Sequence, residues 1–233
     1  MYKGLGNEEP KFSFSIRSYQ PGDKQAVRGL CCDTGYFGRP IDIIFQDREW
    51  FADLNTGYYL RYEPDLCFVA EANKQLIGYV LGCGHHLKYT FLFYTIIAPP
   101  LFVKAFVKCL FRIYDSKSRD YIRKLVLKGS QERPKKPRQA AHFHINIKQG
   151  FRQKGVGKAL VQALFKNLLK RGINNVYGEL FHVENLRNES FYTSHGAQIF
   201  DKKPTTIFGP ELGRVYMMSV LIKLNEVRDT WKL

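Results

Sequence analysis

The chain has 233 residues, 45% of them hydrophobic, 15% aromatic and 24% charged. That length and mixture suit one domain with a substantial core, and they exclude a disordered or collagen-like chain. Lys and Arg number 36 against 21 Asp and Glu, a formal charge of +15, which favours an anionic partner (nucleic acid, a membrane surface or a phosphorylated cofactor) without choosing among them.

Residues 1–10 are polar and include Glu8 and Glu9, unlike a signal peptide, and Tyr2 excludes an N-myristoylation motif. Phe12, Phe14 and Ile16 alternate with serines, the period of a half-buried strand. Pro21 and Gly22 break it, and Asp23 is expected to cap a helix that carries Ala26, Val27, Leu30 and Cys31 on one face and ends at Thr34 and Gly35. Residues 36–64 read as helix and loop. Two apolar runs, 66–70 and 76–81, flank a turn at Ala72, Asn73 and Lys74 and predict a β-hairpin.

Residues 85–139 differ in composition from their surroundings and read as a basic, amphipathic helical insertion within one domain spanning 1–233. They hold 13 Lys or Arg and 3 Asp or Glu, so ten of the fifteen net positive charges lie here. Phe102, Val103, Phe106, Val107, Leu110 and Phe111 fall at helical spacing beside a row of Lys104, Lys108 and Arg112. The unbroken apolar run is shorter than the roughly 20 residues of a membrane span, and Pro99, Pro100 and Lys104 interrupt the window. An amphipathic helix is therefore expected, either buried against the core or serving a membrane surface or a substrate lid.

Beyond it, strand and helix alternate. A strand is expected at 143–147, then a Gly-containing loop and a helix with Ala159, Leu160, Ala163, Leu164 and Leu168 on one face, stopped by Gly172. A strand at 175–181, a helix at 186–194 and strands at 197–200 and 215–224 follow. This order reads as α/β (α+β), a mixed central sheet flanked by helices. Cys31, Cys32, Cys67, Cys83 and Cys109 form no CxxC pair and are odd in number, and no cysteine lies near His142 and His144. Neither a metal site nor a disulfide framework is expected; reduced thiols in a cytoplasmic protein are.

The run from Ile145 to Leu160 carries the chemistry. A strand leads into Arg152-x-x-Gly155-x-Gly157, which opens a helix whose first N–H groups have no intrahelical partner. Such a terminus attracts phosphate, glycine lets the backbone approach a ligand, and Arg152, Lys154 and Lys158 add positive charge. Gly150 and Gly155 have the spacing of a nucleotide-triphosphate loop, but Val156 stands where that loop needs Lys. A dinucleotide fingerprint is excluded because Gly157 is followed by Lys158, Ala159 and Leu160.

The pattern that remains resembles the pyrophosphate loop of the GNAT N-acetyltransferase superfamily. A second stretch, Asn185 followed by Phe191, Tyr192 and Gly196, is similar to that superfamily's other signature, and the two lie in the right order with a strand between them. Residues 16–23 resemble its first strand and turn. More narrowly, residues 63–70, 78–82 and 142–146 resemble the branch related to the C-terminal domain of O-GlcNAcase. Lys148, Gln149 and Gly150 depart from the Pro and acidic residue common before the loop aromatic.

The resemblance implies an acetyl-CoA-dependent N-acetyltransferase that passes acetyl to a primary amine by direct attack in a ternary complex. It implies that Ile145, Asn146 and Ile147 run along the pantetheine arm. It further implies that Arg152, Gln153, Lys154, Gly155, Val156, Gly157 and Lys158 hold the pyrophosphate, that Asn185 contacts the thioester region, and that Tyr192 protonates the departing thiolate. The reaction also needs a base for the ammonium proton, for which Glu179, His142 and His144 are the candidates; a core or ion-paired role remains open for each. The rival reading is a non-catalytic acetyl-CoA-binding module, since the O-GlcNAcase domain is itself thought inactive. The acceptor amine and the oligomeric state are unspecified, nucleic acid is not expected, and peripheral membrane contact through the insertion is the remaining partner.

Overall fold

A computed structural model describes residues 12–184 and 189–233. Among these residues, seven strands make one mixed sheet: β1 (Ser15–Ser18), β2 (Cys67–Ala72), β3 (Gln75–Cys83), β4 (Ala141–Ile147), β5 (Asn175–Val183), β6 (Gln198–Thr205) and β7 (Val215–Lys223). Their order is β1-β2-β3-β4-β5-β7-β6, and β4 with β5 is the parallel pair among antiparallel neighbours. The expected hairpin is β2–β3, turned by Asn73 and Lys74, both at positive φ.

Alternation along the strands sends side chains to two cores. Tyr79, Leu81 and Cys83 of β3 meet α1 (Lys24–Asp33) and α2 (Arg48–Tyr62) on one face. On the other, Val80, Phe143 and Ile145 meet α6 (Val156–Lys170), whose Leu160, Leu164, Phe165 and Leu168 are fully buried. The helix sits so close that a methyl at Gly82 would collide with Leu164 Cδ1.

Two local expectations are corrected. Asp23 stands at the N-cap position of α1, but its side chain makes no capping hydrogen bond. Its carboxylate accepts from the Gln20 N–H (2.8 Å) and pairs with Arg17 (2.7 Å), closing a short 3-10 turn at Pro21–Asp23 that precedes the helix. The first strand also begins later than Phe12, at Ser15; Phe12 stacks on Phe14 and packs at a tilt against Phe151.

The segment between β3 and β4 is helical. α3 (His86–Leu92), a π turn (Phe93–Ile97) and α4 (Ala98–Leu110) form one unbroken helix, followed by α5 (Ser116–Lys128). Contrary to expectation, Pro99 and Pro100 do not interrupt it: they follow the wide turn, where the Ala98 N–H reaches back five residues to the Phe93 carbonyl. By length and composition this helix could cross a bilayer. One side of it is buried on the α1–α2 core through Ala98 and Ala105, with Trp50 Nε1 donating to the Leu101 carbonyl at 2.7 Å. Core burial therefore describes only that side; the other is exposed. Lys108 departs from the solvent row and reaches Asp47, the N-cap of α2, at 2.5 Å.

Candidate active site

The site lies where β4 and β5 part. Cα pairing runs through Ala141/Val176, His142/Tyr177 and Phe143/Gly178 and then stops, although β4 continues to Ile147 and β5 to Val183. Among the described residues, β4 keeps only β3 as a strand neighbour from residue 144 onward, and its edge toward β5 is left without a strand partner. Ile145, Asn146 and Ile147 all lie on this open edge. They are half-buried, as expected for a strand beside a cleft.

At the mouth of the cleft the chain turns through residues 149–155 into α6. Gly155 is the N-cap, with φ +83°. Among the described residues no side chain caps the terminus, and no acidic residue occupies its first turn. The N–H groups of Val156, Gly157 and Lys158 therefore have no partner within the helix, and the first helical bond is Ala159 N–H to Gly155 O at 3.1 Å. A methyl at Gly155 would meet no described atom within 4 Å, so the space before it is open. Gly157 has a different reason: a methyl there would lie 2.9 Å from Ile147 Cδ1, so its lack of a side chain lets α6 pack on β4.

The loop cations are not equivalent. Arg152 turns back into the cleft, its Nε donating to the Ile147 carbonyl at 3.1 Å, with its guanidinium against Gly38. Lys154 lies over the rings of Phe12 and Phe151. Lys158 is exposed in the first turn of α6. Gln153 joins the turn at φ +61°. The α1–α2 loop spans the far side, since Phe37 packs on Phe181 and Phe208 while Gly38 meets Arg152. Nothing in the residue pattern signals this strap, because only the fold brings residue 38 to 152.

The three candidate bases share one face. His142 and Tyr177 are paired on the α1–α2 side (rings 5.3 Å apart), so His144 and Glu179 are the next positions on that side, flanking the apex where the strands separate. His142 is buried among Tyr59, Tyr89, His86 and Tyr177, with no hydrogen-bond partner for either ring nitrogen among the described residues, and burial holds its pKa well below the ordinary value. It is a neutral ring in an aromatic cage. His144 Nε2 lies 3.1 Å from the Tyr79 hydroxyl, to which Asn146 Nδ2 donates at 2.9 Å; burial lowers the His144 pKa to about 4. Tyr79, a residue sequence reasoning did not single out, is thus the centre of a polar cluster beside the cleft, itself fully buried and strongly resistant to ionisation because of that burial. In the sequence it appears only as a Tyr within the apolar strand run 78–82. Glu179 is ion-paired with Lys136 at 2.9 Å, with Arg133 Nε at 3.9 Å.

Tyr192 belongs to α7 (Ser190–Thr193) and packs with the α6-side core, its ring centroid 6.2 Å from that of His182 on β5. Asn185 lies outside the described residues, as does the start of the helix expected at 186–194. All five cysteines are free and four are buried; burial raises the Cys31 thiol to about 12. Among the described residues no His, Cys, Asp and Glu cluster could hold a metal.

The model of the acetyltransferase (GNAT) family matches residues 36–197, more than half of the chain. Among solved structures, SsHAT aligns with a TM-score of 0.62 at 22% identity, covering 91% of this chain and 98% of its own. Salmonella typhimurium yncA, solved with its cofactor acetyl-CoA, aligns at 0.52 and 14% identity, covering 91% and 95%. The polyamine N-acetyltransferase of Drosophila melanogaster, which forms N-acetylagmatine, aligns at 0.53 and 12% identity, covering 91% and 100%. At these identities the likeness is one of fold. No significant match was found among curated proteins.

Proposed function

The chain belongs to the GNAT acetyltransferase family, whose cofactor is acetyl-CoA, and from that premise we propose that it transfers acetyl to a primary amine by direct attack within a ternary complex. The observation that carries this reading is the parting of β4 and β5 after Phe143 and Gly178, in a cleft that ends at the uncapped N-terminus of α6. An open strand edge suits an arm bearing amides. The bare N–H groups and positive Gly155 corner suit a pyrophosphate. Bound there, acetyl-CoA supplies an activated thioester.

In this reading, Ile145, Asn146 and Ile147 run along the arm, with the outward backbone groups of Ile145 and Ile147 aligning it, and a β4 N–H polarises the carbonyl oxygen as charge develops. Residues 152–158 hold the phosphates, chiefly through backbone, with Lys158 as the exposed cation of the helix's first turn. Asn185 steadies the thioester region. Tyr192 donates its phenolic proton to the leaving sulfur. The acceptor ammonium approaches the apex on the α1–α2 side, where the Glu179 carboxylate attracts it and takes its proton directly or through water. The Tyr79–His144–Asn146 cluster fixes the wall opposite, and His142 acts as a neutral packing ring rather than a base. The free, buried thiols fit a cytoplasmic site of action. The short runs at 78–82 and 142–146 support kinship with the O-GlcNAcase-related branch.

Calorimetry with acetyl-CoA, then a screen of primary amines read by released CoA thiol, tests the reading. Micromolar binding and amine-dependent thiol release are expected. Absence of binding refutes the cofactor site, and binding without release for any amine refutes the transfer.

A further inference from the structure

We propose that the outer side of the helix His86–Leu110 docks the protein, peripherally, on the headgroup surface of an anionic lipid bilayer. The helix is two-sided. Its inner side is fixed to the core through Ala98, Ala105 and the edge-to-face contact of Phe102 with Trp50. Its outer side carries Leu87, Phe91, Tyr94, Val103, Phe106 and Leu110 into solvent; Leu87 is 85% exposed and Phe106 66%. The strip continues into the turn at Phe111 and Ile113, 71% and 58% exposed. Scattered apolar residues on a surface are ordinary, but a continuous strip along the length of a helix marks an interaction face.

Charge decides the occupant. From His85 to Tyr114 there is no Asp or Glu, while Lys88, Lys104 and Arg112 are exposed beside the strip. A second copy of this chain would bring the same cations to the same place, and like charges oppose that pairing. A nucleic acid would satisfy the cations but leave the apolar strip against phosphate and water. An anionic bilayer satisfies both, because apolar side chains enter the headgroup boundary while Lys and Arg remain at the phosphate level.

The helix lies on the bilayer and does not cross it. It leaves the end of β3, and the chain returns through α5, whose Tyr121 and Ile122 are buried in the same core, to β4, the neighbour of β3 in the sheet. Both ends therefore stay with one body. Spanning would strip the inner side from Trp50 and break the bond from its Nε1 to Leu101. That inner side also carries Tyr89, whose ring lies 4.4 Å from that of His142 on β4. Docking thus presents the α1–α2 side of the cleft toward the lipid.

The test is co-sedimentation of the full chain with vesicles of phosphatidylcholine alone or of phosphatidylcholine with phosphatidylglycerol, alongside its mass in solution by light scattering. Binding to the anionic vesicles, little to the neutral ones, and weakening in salt near about 1 M are expected. Phe106→Glu with Leu110→Glu should reduce partitioning by about tenfold or more, since each inserted apolar group is replaced by a charge that anionic lipid repels. These positions face solvent, so the melting temperature should hold; Leu87→Glu, several turns away, provides a second variant should that pair fail to fold. Equal sedimentation of wild type and variants overturns the proposal. So does failure to bind anionic vesicles, or a dimer in solution that these substitutions dissociate. None of these outcomes depends on acetyl transfer.

Discussion

Gly155 and Gly157 occupy one motif for different physical reasons, and substitution separates them. Gly155 sits at φ +83° with no described atom within 4 Å of where a Cβ would stand. Replacing it with Ala costs nothing in clashes, and the whole penalty is backbone conformation, about 1–2 kcal/mol for an L-residue held left-handed. For a chain of this size that is a fall of roughly 2–8 °C in melting temperature. Asn tolerates this conformation better than other non-glycine residues, so stability should rank Gly, then Asn, then Ala, then Val. Gly157 lies in the first turn of α6, where Ala is favoured over Gly by at most the about 0.8–1.0 kcal/mol of a helix interior. The 2.9 Å approach to the movable tip of Ile147 offsets this, and Gly157→Ala should melt near the wild-type temperature. Thermal melts and acetyl-CoA calorimetry on Gly155→Asn, Gly155→Ala and Gly157→Ala would measure both properties. The Asn variant should recover stability but not affinity, because its side chain fills the open space assigned to phosphate. A Gly155→Ala chain as stable as wild type would refute the conformational argument. A Gly155→Asn chain binding acetyl-CoA with wild-type affinity would refute the assignment of that space.

Tyr192→Phe should lower turnover about 10²-fold while leaving acetyl-CoA affinity unchanged, as removal of a general acid does; single-turnover thiol release with unchanged rate removes Tyr192 from that role. Tyr79→Phe deletes the hydroxyl that partners Asn146 and His144 and leaves them only their mutual 3.3 Å contact; the lost hydrogen bonding, about 1 kcal/mol, should appear as a lower urea midpoint. An unaltered midpoint would show that the cluster adds nothing. Stability should also fall in acid. His144 titrates near 4 in the fold against an ordinary value of 6.5, so the unfolded chain takes up its proton first. That contribution is complete above pH 6.5 and is lost as the pH falls toward 4, with at most about 2 kcal/mol of it gone by about pH 5. His142, depressed by the same burial, adds in the same direction. His144→Gln should flatten the urea-midpoint profile between about pH 6.5 and 4; a slope equal to that of wild type contradicts the assignment.

Much of the site was legible because its determinants are local. A left-handed corner requires glycine at 155, and a helix start leaves donors bare, so the loop announces itself within a few residues. The hairpin at 67–83 and the buried face of α6 are equally local, carried by alternation and by helical spacing. The misreadings have local causes too. Asp23 matches a capping pattern, yet Arg17 and the Gln20 N–H compete for its carboxylate and win. Pro99 and Pro100 interrupt the apolar window in the sequence, yet the helix runs on through them just after a π turn.

By itself, then, the order of residues determined the α/β class, the phosphate-seeking corner and the concentration of positive charge in 85–139, because each follows from neighbours within a few positions. Only the tertiary structure decided where β4 and β5 separate, that Tyr79 binds His144 and Asn146, that Lys136 meets Glu179, and which side of the inserted helix stays wet. Those facts join residues tens of positions apart. No sequence period encodes such meetings; packing of the sheet against its helices creates them.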